Sequence, residues 1–391
     1  MASPLTLEIL QQLIGFDTTS ANSNLELMAY VQHYLAEHGV NSHLIHDEAG
    51  QKANLYSTIG PADKPGIMLS GHTDTVPVTG QKWSHDPYRL TLEQDRGYGR
   101  GTADMKGFLA VVLAAVPDMV KAPLHTPIHL AFSYDEEIGC IGVRRLIDNL
   151  AELPIKPALC IIGEPTEMKV VTAHKGKLAA KVTVTGKEYH SGMAPFGVNA
   201  INYAARLVCW LEQLAIWKRN QGPFEEGYDI PYTTVHTGTM QGGTALNIVP
   251  NHCEFMFEIR NVAAEDPHRL LSDFRDYAET LVAEMRRTAP DCSIDIELTT
   301  EYPCLSTAND SDVVAFVQRL AESDGCHTIG FGTEGGLFSN VLGVPTVVCG
   351  PGSMDQGHKP DEFIEISQLG LGERFVARLI EQLSPPHGEN E

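Results

Sequence analysis

Ile67-Met68-Leu69-Ser70-Gly71-His72-Thr73-Asp74-Thr75-Val76-Pro77 is the stretch whose reading decides the fold. Its short apolar run predicts a buried strand that ends at Gly71. Side chains alternate along extended chain, so His72 and Asp74 leave the strand end on one side. The imidazole can then bind a metal ion while the carboxylate grips its other nitrogen. For this segment alone, an ordinary strand-end pair is an equally good account.

Four further segments deliver an acid or an imidazole in comparable settings. Tyr98-Gly99-Arg100-Gly101-Thr102-Ala103-Asp104 is a glycine-rich approach to one aspartate, followed by the helical run Phe108 to Val116. Glycine lets backbone come close to an ion, and one carboxylate can bridge two cations with its two oxygens, so Asp104 is the candidate bridge. The alternative is an N-cap. Ile128 to Gly139 reads as a strand ending in the triplet Asp135-Glu136-Glu137, whose like charges require either full solvation or compensating cations. At a tight turn Glu137 serves as ligand, and Glu136, one step back, as proton shuttle. Ala158 to Thr166 delivers Glu164, and Thr346 to Glu362 delivers His358. Functional groups of open α/β sheets collect where strands end, so the five segments are expected to converge on one rim and hold two metal ions.

In chain order, Gly71-His72-Thr73-Asp74-Thr75-Val76-Pro77, Gly101-Thr102-Ala103-Asp104-Met105-Lys106-Gly107, Asp135-Glu136-Glu137, Gly163-Glu164-Pro165-Thr166 and Gly357-His358 resemble the motifs of the M20 family of dizinc amidohydrolases and exopeptidases. The resemblance runs nearly end to end. It implies that His72 and Glu164 hold one zinc, Glu137 and His358 the other, with Asp104 between them. It also implies Glu136 as general base and Asp74 as the residue orienting His72. Such donors accept cobalt or manganese as well as zinc. Within the family, Ala173-His174-Lys175-Gly176, Pro195-Phe196-Gly197-Val198-Asn199-Ala200-Ile201 and Gly332-Thr333-Glu334-Gly335 are most similar to the branch that hydrolyses the Nα-acetyl amide of N-acetylornithine in arginine biosynthesis. Gly192, Gly335 and Gly336 depart from that branch's usual residues. Action on succinyl-diaminopimelate, acetylcitrulline or a carboxy-terminal amino acid is the alternative within the family. A metal-stabilised binding protein without turnover is the alternative outside enzymes.

The 391 residues, 43% of them hydrophobic, suffice for two domains. A formal charge of −22 argues against nucleic acid and anionic membrane as partners, since both reward cationic surface. Eight cysteines without CxxC spacing, among them Cys160, Cys253 and Cys349 in apolar runs, predict buried thiols rather than disulfides or thiolate zinc. Without a signal-like opening or an apolar run able to cross a bilayer, a cytoplasmic protein is expected.

Helices from Leu5 to Ile14 and Asn24 to His38, alternating with apolar strands, predict an α/β domain with a mainly parallel sheet covered by helices. Between Lys177 and Leu298 the order becomes strand (Leu178 to Thr185), helix (Val198 to Trp217), two strands (Thr233 to Thr239, Cys253 to Arg260), helix (Pro267 to Arg287) and strand (Ser293 to Leu298). That order reads as an inserted ferredoxin-like α+β unit. The expected division is therefore 1–176 with 299–391 for the catalytic, metal-binding domain and 177–298 for a lid or dimerisation domain, with hinges near Lys177 and Leu298. The tail after Ser384, rich in Pro, Gly and charge, reads as disordered.

Four residues of the insert and its flank are candidates for substrate handling. His190 lies in a small-residue loop where an imidazole can donate to an oxyanion. The family resemblance implies that it serves the active site of a neighbouring subunit in a homodimer formed through the insert. Arg260 ends a strand and can hold a substrate α-carboxylate with two parallel hydrogen bonds, or else pair with Glu258 or Asp266. Asn247 either assists or satisfies a turn. Glu334, in a glycine-rich loop, is the candidate for recognising a side-chain ammonium on a small acylated amino acid, or is an N-cap.

Overall fold

A computed structural model describes residues 2–385. Most of the tail after Ser384 lies outside the described residues. The chain forms two compact units, one of Met1–Ala173, Leu305–Thr328 and Thr333–Glu391, the other of His174–Cys304 and Ile329–Gly332.

The first unit is built on a nine-stranded sheet. At its centre lie Ile128–Ser133, Ile67–His72, Leu159–Ile162 and Thr346–Val348, neighbours in that order and all parallel. Every residue of these four strands is buried, as a parallel sheet covered on both faces requires. Parallel direction places all four carboxyl ends on one rim, and register sets His72 directly beside Ser133. Antiparallel strands Ser42–His46 and Ala53–Ile59 extend one side.

Helices close the faces. Pro4–Ile14 starts with Ser3 as N-cap, its hydroxyl accepting from the Thr6 amide, and with Pro in the first turn. It buries Ile9, Leu10, Leu13 and Ile14 against the apolar Lys106–Ala114 helix. The helix Ile366–Gln382, which the sequence reading did not foresee, packs on the same buried helix.

The second unit has a four-stranded antiparallel sheet in the order Thr234–Gly242, His252–Arg260, Lys177–Thr185, Ser293–Tyr302. With its first strand between the third and fourth, this is the ferredoxin-like arrangement. Cys253, Phe255, Phe257 and Ile259 alternate inward beneath helices Ala200–Gln221 and Pro267–Met285 and form a core of their own. The first of those helices runs past Trp217 to Gln221, and its Lys218, a residue that sequence patterning places outside, is buried in an ion pair with Glu265. Gly222 at φ 73° then ends it.

All eight cysteines are free. Among the described residues no helix is long and apolar enough to cross a membrane.

Gly163, next to the expected ligand Glu164, has no room for a side chain. A Cβ there would meet the Phe108 ring at 2.1 Å. Gly163→Ala is expected to lower unfolding free energy by about 1–3 kcal/mol, the usual cost of overpacking. Gly330→Ala, which meets nothing within 4 Å, should be neutral in the same denaturation experiment.

Candidate metal centre

The rim gathers the side chains expected there. His72 ends its strand with the imidazole 1% exposed, Nε2 lying 3.0 Å from Asp104 Oδ1 and 3.5 Å from Glu164 Oε1. His358 Nε2 lies 3.1 Å from Asp104 Oδ2 and 2.9 Å from Glu137 Oε2. Asp104 thus turns one oxygen to each imidazole. Ligand atoms of His72, Glu136 and Glu164 fall within 4.8 Å of one another, as do those of His72, Asp104 and Glu137.

Each side chain is placed by its local backbone. Asp104 precedes the helix Lys106–Ala114, whose N-cap is Met105, so the N-cap account of Asp104 does not hold. Buried Lys106 donates to the carbonyls of Leu13 (3.0 Å) and Phe16 (2.9 Å), tying this turn to the end of the first helix. The acidic triplet divides. Asp135, at φ 56°, turns to Lys52 (2.6 and 2.8 Å), while Glu136 and Glu137 go to the cluster. Their amides donate to Asp74 Oδ1 (3.1 Å) and Oδ2 (3.2 Å), and Ser20 Oγ adds a third bond to Oδ2 (2.7 Å).

Asp74 departs from expectation in detail. The nearest partner of His72 Nδ1 is the Asp74 backbone carbonyl, at 3.0 Å; the carboxylate is at 3.5 Å. Two residues beyond the strand end, the chain turns its carbonyl toward the ring and spends the carboxylate on the Glu136 and Glu137 amides.

That carbonyl tests whether the residues suit a metal. A carbonyl only accepts, so Nδ1 carries the proton and the Nε2 lone pair of a neutral ring faces two carboxylate oxygens. A lone pair opposed by anions needs a proton or a cation between them. Glu137 Oε1 is buried with no hydrogen-bond partner. Both features fit a set of donors to divalent ions, of the His and carboxylate type that zinc accepts.

Electrostatics agree. Burial pushes the carboxyls of Glu136 and Glu164 well above their usual range, and that of Glu137 up to about 7 with Asp104 adding to it. Burial opposes charge on His72, yet Glu164, Asp104 and Asp74 outweigh it and raise the imidazole well above its ordinary value. Hydrogen bonds to Asp104 and Glu137 lift His358 to about 10. Asp104 stays low despite burial, because both imidazoles donate to it.

Of the remaining candidates, Glu334 lies at the same rim and the other three in the second unit. Glu334, 1% exposed, accepts from Ser133 Oγ and makes no cap bond; burial lifts it to about 7. In the second unit, His190 is exposed and its Nδ1 accepts from the Gly192 amide at 3.1 Å, which leaves the ring proton on Nε2. His190 pairs with Ile248 on a two-stranded ribbon, and the carbonyl of Asn247 receives the Ser191 amide, so Asn247 stands beside His190 in an exposed turn. Arg260 already donates to Glu258 (3.2 and 3.3 Å) and Tyr302 (2.7 Å). Sequence reading missed Ser20, Lys52, Arg100 and the role of Glu362, whose partners are remote in sequence.

A sequence profile described as "Peptidase family M20/M25/M40" matches residues 68–382, and the chain belongs to that family. It is a hydrolase of the M20 peptidase and deacetylase group. It is 33% identical to an acetylornithine deacetylase of Pasteurella multocida over 97% of this chain and 98% of that one. It is 34% identical to an acetylornithine deacetylase of Myxococcus xanthus over 96% and 97%. Among solved structures, an M20 family metallo-carboxypeptidase of Sulfolobus solfataricus shares the fold, with a TM-score of 0.77 at 19% identity over 97% and 99% of the two chains.

A divalent ion entering this cluster would have to displace the protons it retains. Glu137 and His358 have folded pKa values above their unfolded ones (4.5 to about 7, 6.5 to about 10), so the metal-free fold holds more protons than the unfolded chain in those windows and loses stability as pH rises through them. The melting temperature gained on adding zinc should therefore widen from about pH 5 to about pH 8. Buried His129 and His174, lowered by burial to about 4, act in the opposite direction but equally in both forms, and cancel in the difference. Differential scanning calorimetry with and without zinc reads the gap; one constant with pH would contradict this reading of the cluster.

Proposed function

We propose that the chain hydrolyses the Nα-acetyl amide of N-acetylornithine to ornithine and acetate, a step of arginine biosynthesis. The observation that carries the reading is Glu136, half-buried beside the His72, Asp104, Glu137 and Glu164 donors with its amide anchored on Asp74. Full-length similarity to two acetylornithine deacetylases supports the substrate class.

In this reading His72 and Glu164 hold one divalent ion, Glu137 and His358 a second, and Asp104 spans both. Zinc is the ion the donor set favours, with cobalt and manganese as substitutes. Ions bound there supply Lewis acidity toward the amide carbonyl and make water a nucleophile near neutral pH.

The residues do the rest. Glu136 takes a proton from the attacking water as oxygen adds to the acyl carbon, and returns it to nitrogen as the C–N bond breaks. Asp74 holds the Glu136 and Glu137 amides and so keeps base and ligand in fixed relation. His190, with Nε2–H available to donate, stabilises the oxyanion at the centre of a neighbouring copy, assisted by Asn247. Arg260 is the anchor for the substrate α-carboxylate, and exchanging its bond to Glu258 for that carboxylate is the step this role requires. Glu334 supplies negative charge for the side-chain ammonium.

Residues 1–176 and 299–391 carry the chemistry, and 177–298 form the lid and join two copies into a homodimer in the cytoplasm.

Glu136→Ala should lower kcat by at least about 10²-fold, the usual contribution of a positioned general base, with metal content unchanged. Metal analysis and steady-state kinetics on N-acetylornithine decide it, and turnover surviving the substitution would remove Glu136 from its role. Run in parallel, kcat/KM on acetylcitrulline, succinyl-diaminopimelate and a short peptide ranks the other substrates.

A further inference from the structure

We propose that Glu362 is the positioning residue for the second ion: its one carboxylate sets the Asp104 loop and the His358 loop in place together. The inference rests on the reading of Asp104 and His358 as ligands.

Glu362 is 1% exposed, and all its bonds converge from the loop that carries Asp104. Oε1 accepts from the amides of Ala103 (2.9 Å) and Asp104 (3.1 Å). Oε2 accepts from the Gly101 amide (3.1 Å) and from Arg100 Nη1 (2.7 Å), itself 1% exposed. The Glu362 carbonyl accepts from Gly99 (2.9 Å). With its backbone amide turned to Glu362, Asp104 presents its carboxylate to His72 and His358.

The other end of the clamp holds His358. Arg100 passes its second terminal nitrogen to Gln81 Oε1 and stacks its guanidinium 5.0 Å over the Trp83 ring. Gln81 Nε2 donates to the carbonyl of His358 at 2.9 Å. Arg100 also reaches the carbonyl of Lys359 at 3.4 Å. The neighbouring Asp361 fastens the same turn to the Ser84 amide (2.8 Å) and hydroxyl (2.9 Å). His358 sits at φ 61°, a left-handed conformation that L residues adopt only when surroundings impose it.

The two halves of the centre are therefore held by different means. His72 belongs to a central strand and Glu164 follows one by two residues, fixed by ladder bonds such as Gly163 N to Ser70 O (3.0 Å). Asp104 and His358 ride on loops whose mutual position depends on Glu362, Arg100 and Gln81. Loss of that clamp should loosen the ion held by Glu137 and His358 more than the one held by His72 and Glu164, which shares Asp104 but keeps its two strand-borne ligands.

The test is zinc titration of metal-free wild type, Glu362→Gln and Gln81→Ala in competition with a chromophoric chelator, with circular dichroism to verify folding. Glu362→Gln is expected to keep one tight zinc and to weaken the other by about 10- to 100-fold, the usual effect of removing a residue that orients a ligand. Gln81→Ala should weaken the same ion to a smaller extent. Excess zinc should restore kcat in both variants with KM unchanged, which a misfolded scaffold would not do. Gln81 is only partly buried, so that variant decides alone if Glu362→Gln does not fold. Two sites indistinguishable from wild type in the folded variants, or equal weakening of both sites, would overturn the proposal. Wild type that binds no pair of ions would instead overturn the ligand reading itself.

Discussion

Carboxylates withdrawn from water repel one another, and the rim of the first unit must answer that repulsion seven times. Like charges at a few ångströms in a medium less polar than water cost several kcal/mol unless compensated. Asp74 is answered by two amides and a hydroxyl, Asp135 by Lys52, and Glu334 by Ser133. Among the described residues, Asp104, Glu136, Glu137 and Glu164 have only two imidazoles between them, plus a weak thiol contact from Cys140 to Glu136 at 3.5 Å. The place where compensation by protein runs out is the place suited to cations. Compensation elsewhere keeps that place definite, since each answered acid fixes the backbone of an unanswered one.

Parallel topology explains why this is possible in one small volume. Strands running the same way end on the same side, so residues from positions 72, 137 and 164 meet without any long excursion of the chain. Strand-borne ligands inherit the rigidity of a sheet buried on both faces. Asp104 and His358 have no such support and depend on side-chain bonds to backbone, which makes Glu362 and Arg100 as necessary to the geometry as a ladder of strand hydrogen bonds.

The α/β class and the ferredoxin-like order of the insert were legible because apolar runs alternate with helical periods and each strand ends in glycine or a polar residue. The acids at strand ends were legible because burial of such residues demands a reason. What escaped the sequence was pairing at a distance. Lys218 looks like a surface residue of a helix until Glu265 is seen beside it. Lys52 meets Asp135 across 83 positions and Arg100 meets Glu362 across 262, separations that no local pattern encodes. Asp74 was read as the partner of the imidazole because period-two alternation aligns the two side chains; the turn that follows the strand brings its carbonyl closer instead. Arg260 illustrates the reverse. Its strand-end position suggested a substrate anchor, and two residues earlier on the same face lies the Glu258 that engages it.

Charge also bears on which amide such a site would favour. The chain carries a formal −22, and two divalent ions would leave it strongly negative. A field of that sign slows the approach of anions and concentrates cationic groups near clefts. N-acetylornithine offsets its carboxylate with a side-chain ammonium and arrives neutral overall, whereas succinyl-diaminopimelate carries three carboxylates against one ammonium. The electrostatic cost of bringing the latter to a rim lined by Asp74, Glu136, Glu164 and Glu334 exceeds that of the former, unless further cations beyond Arg260 meet it. Within the function proposed above, this comparison sets the acetylated diamino acid ahead of succinyl-diaminopimelate.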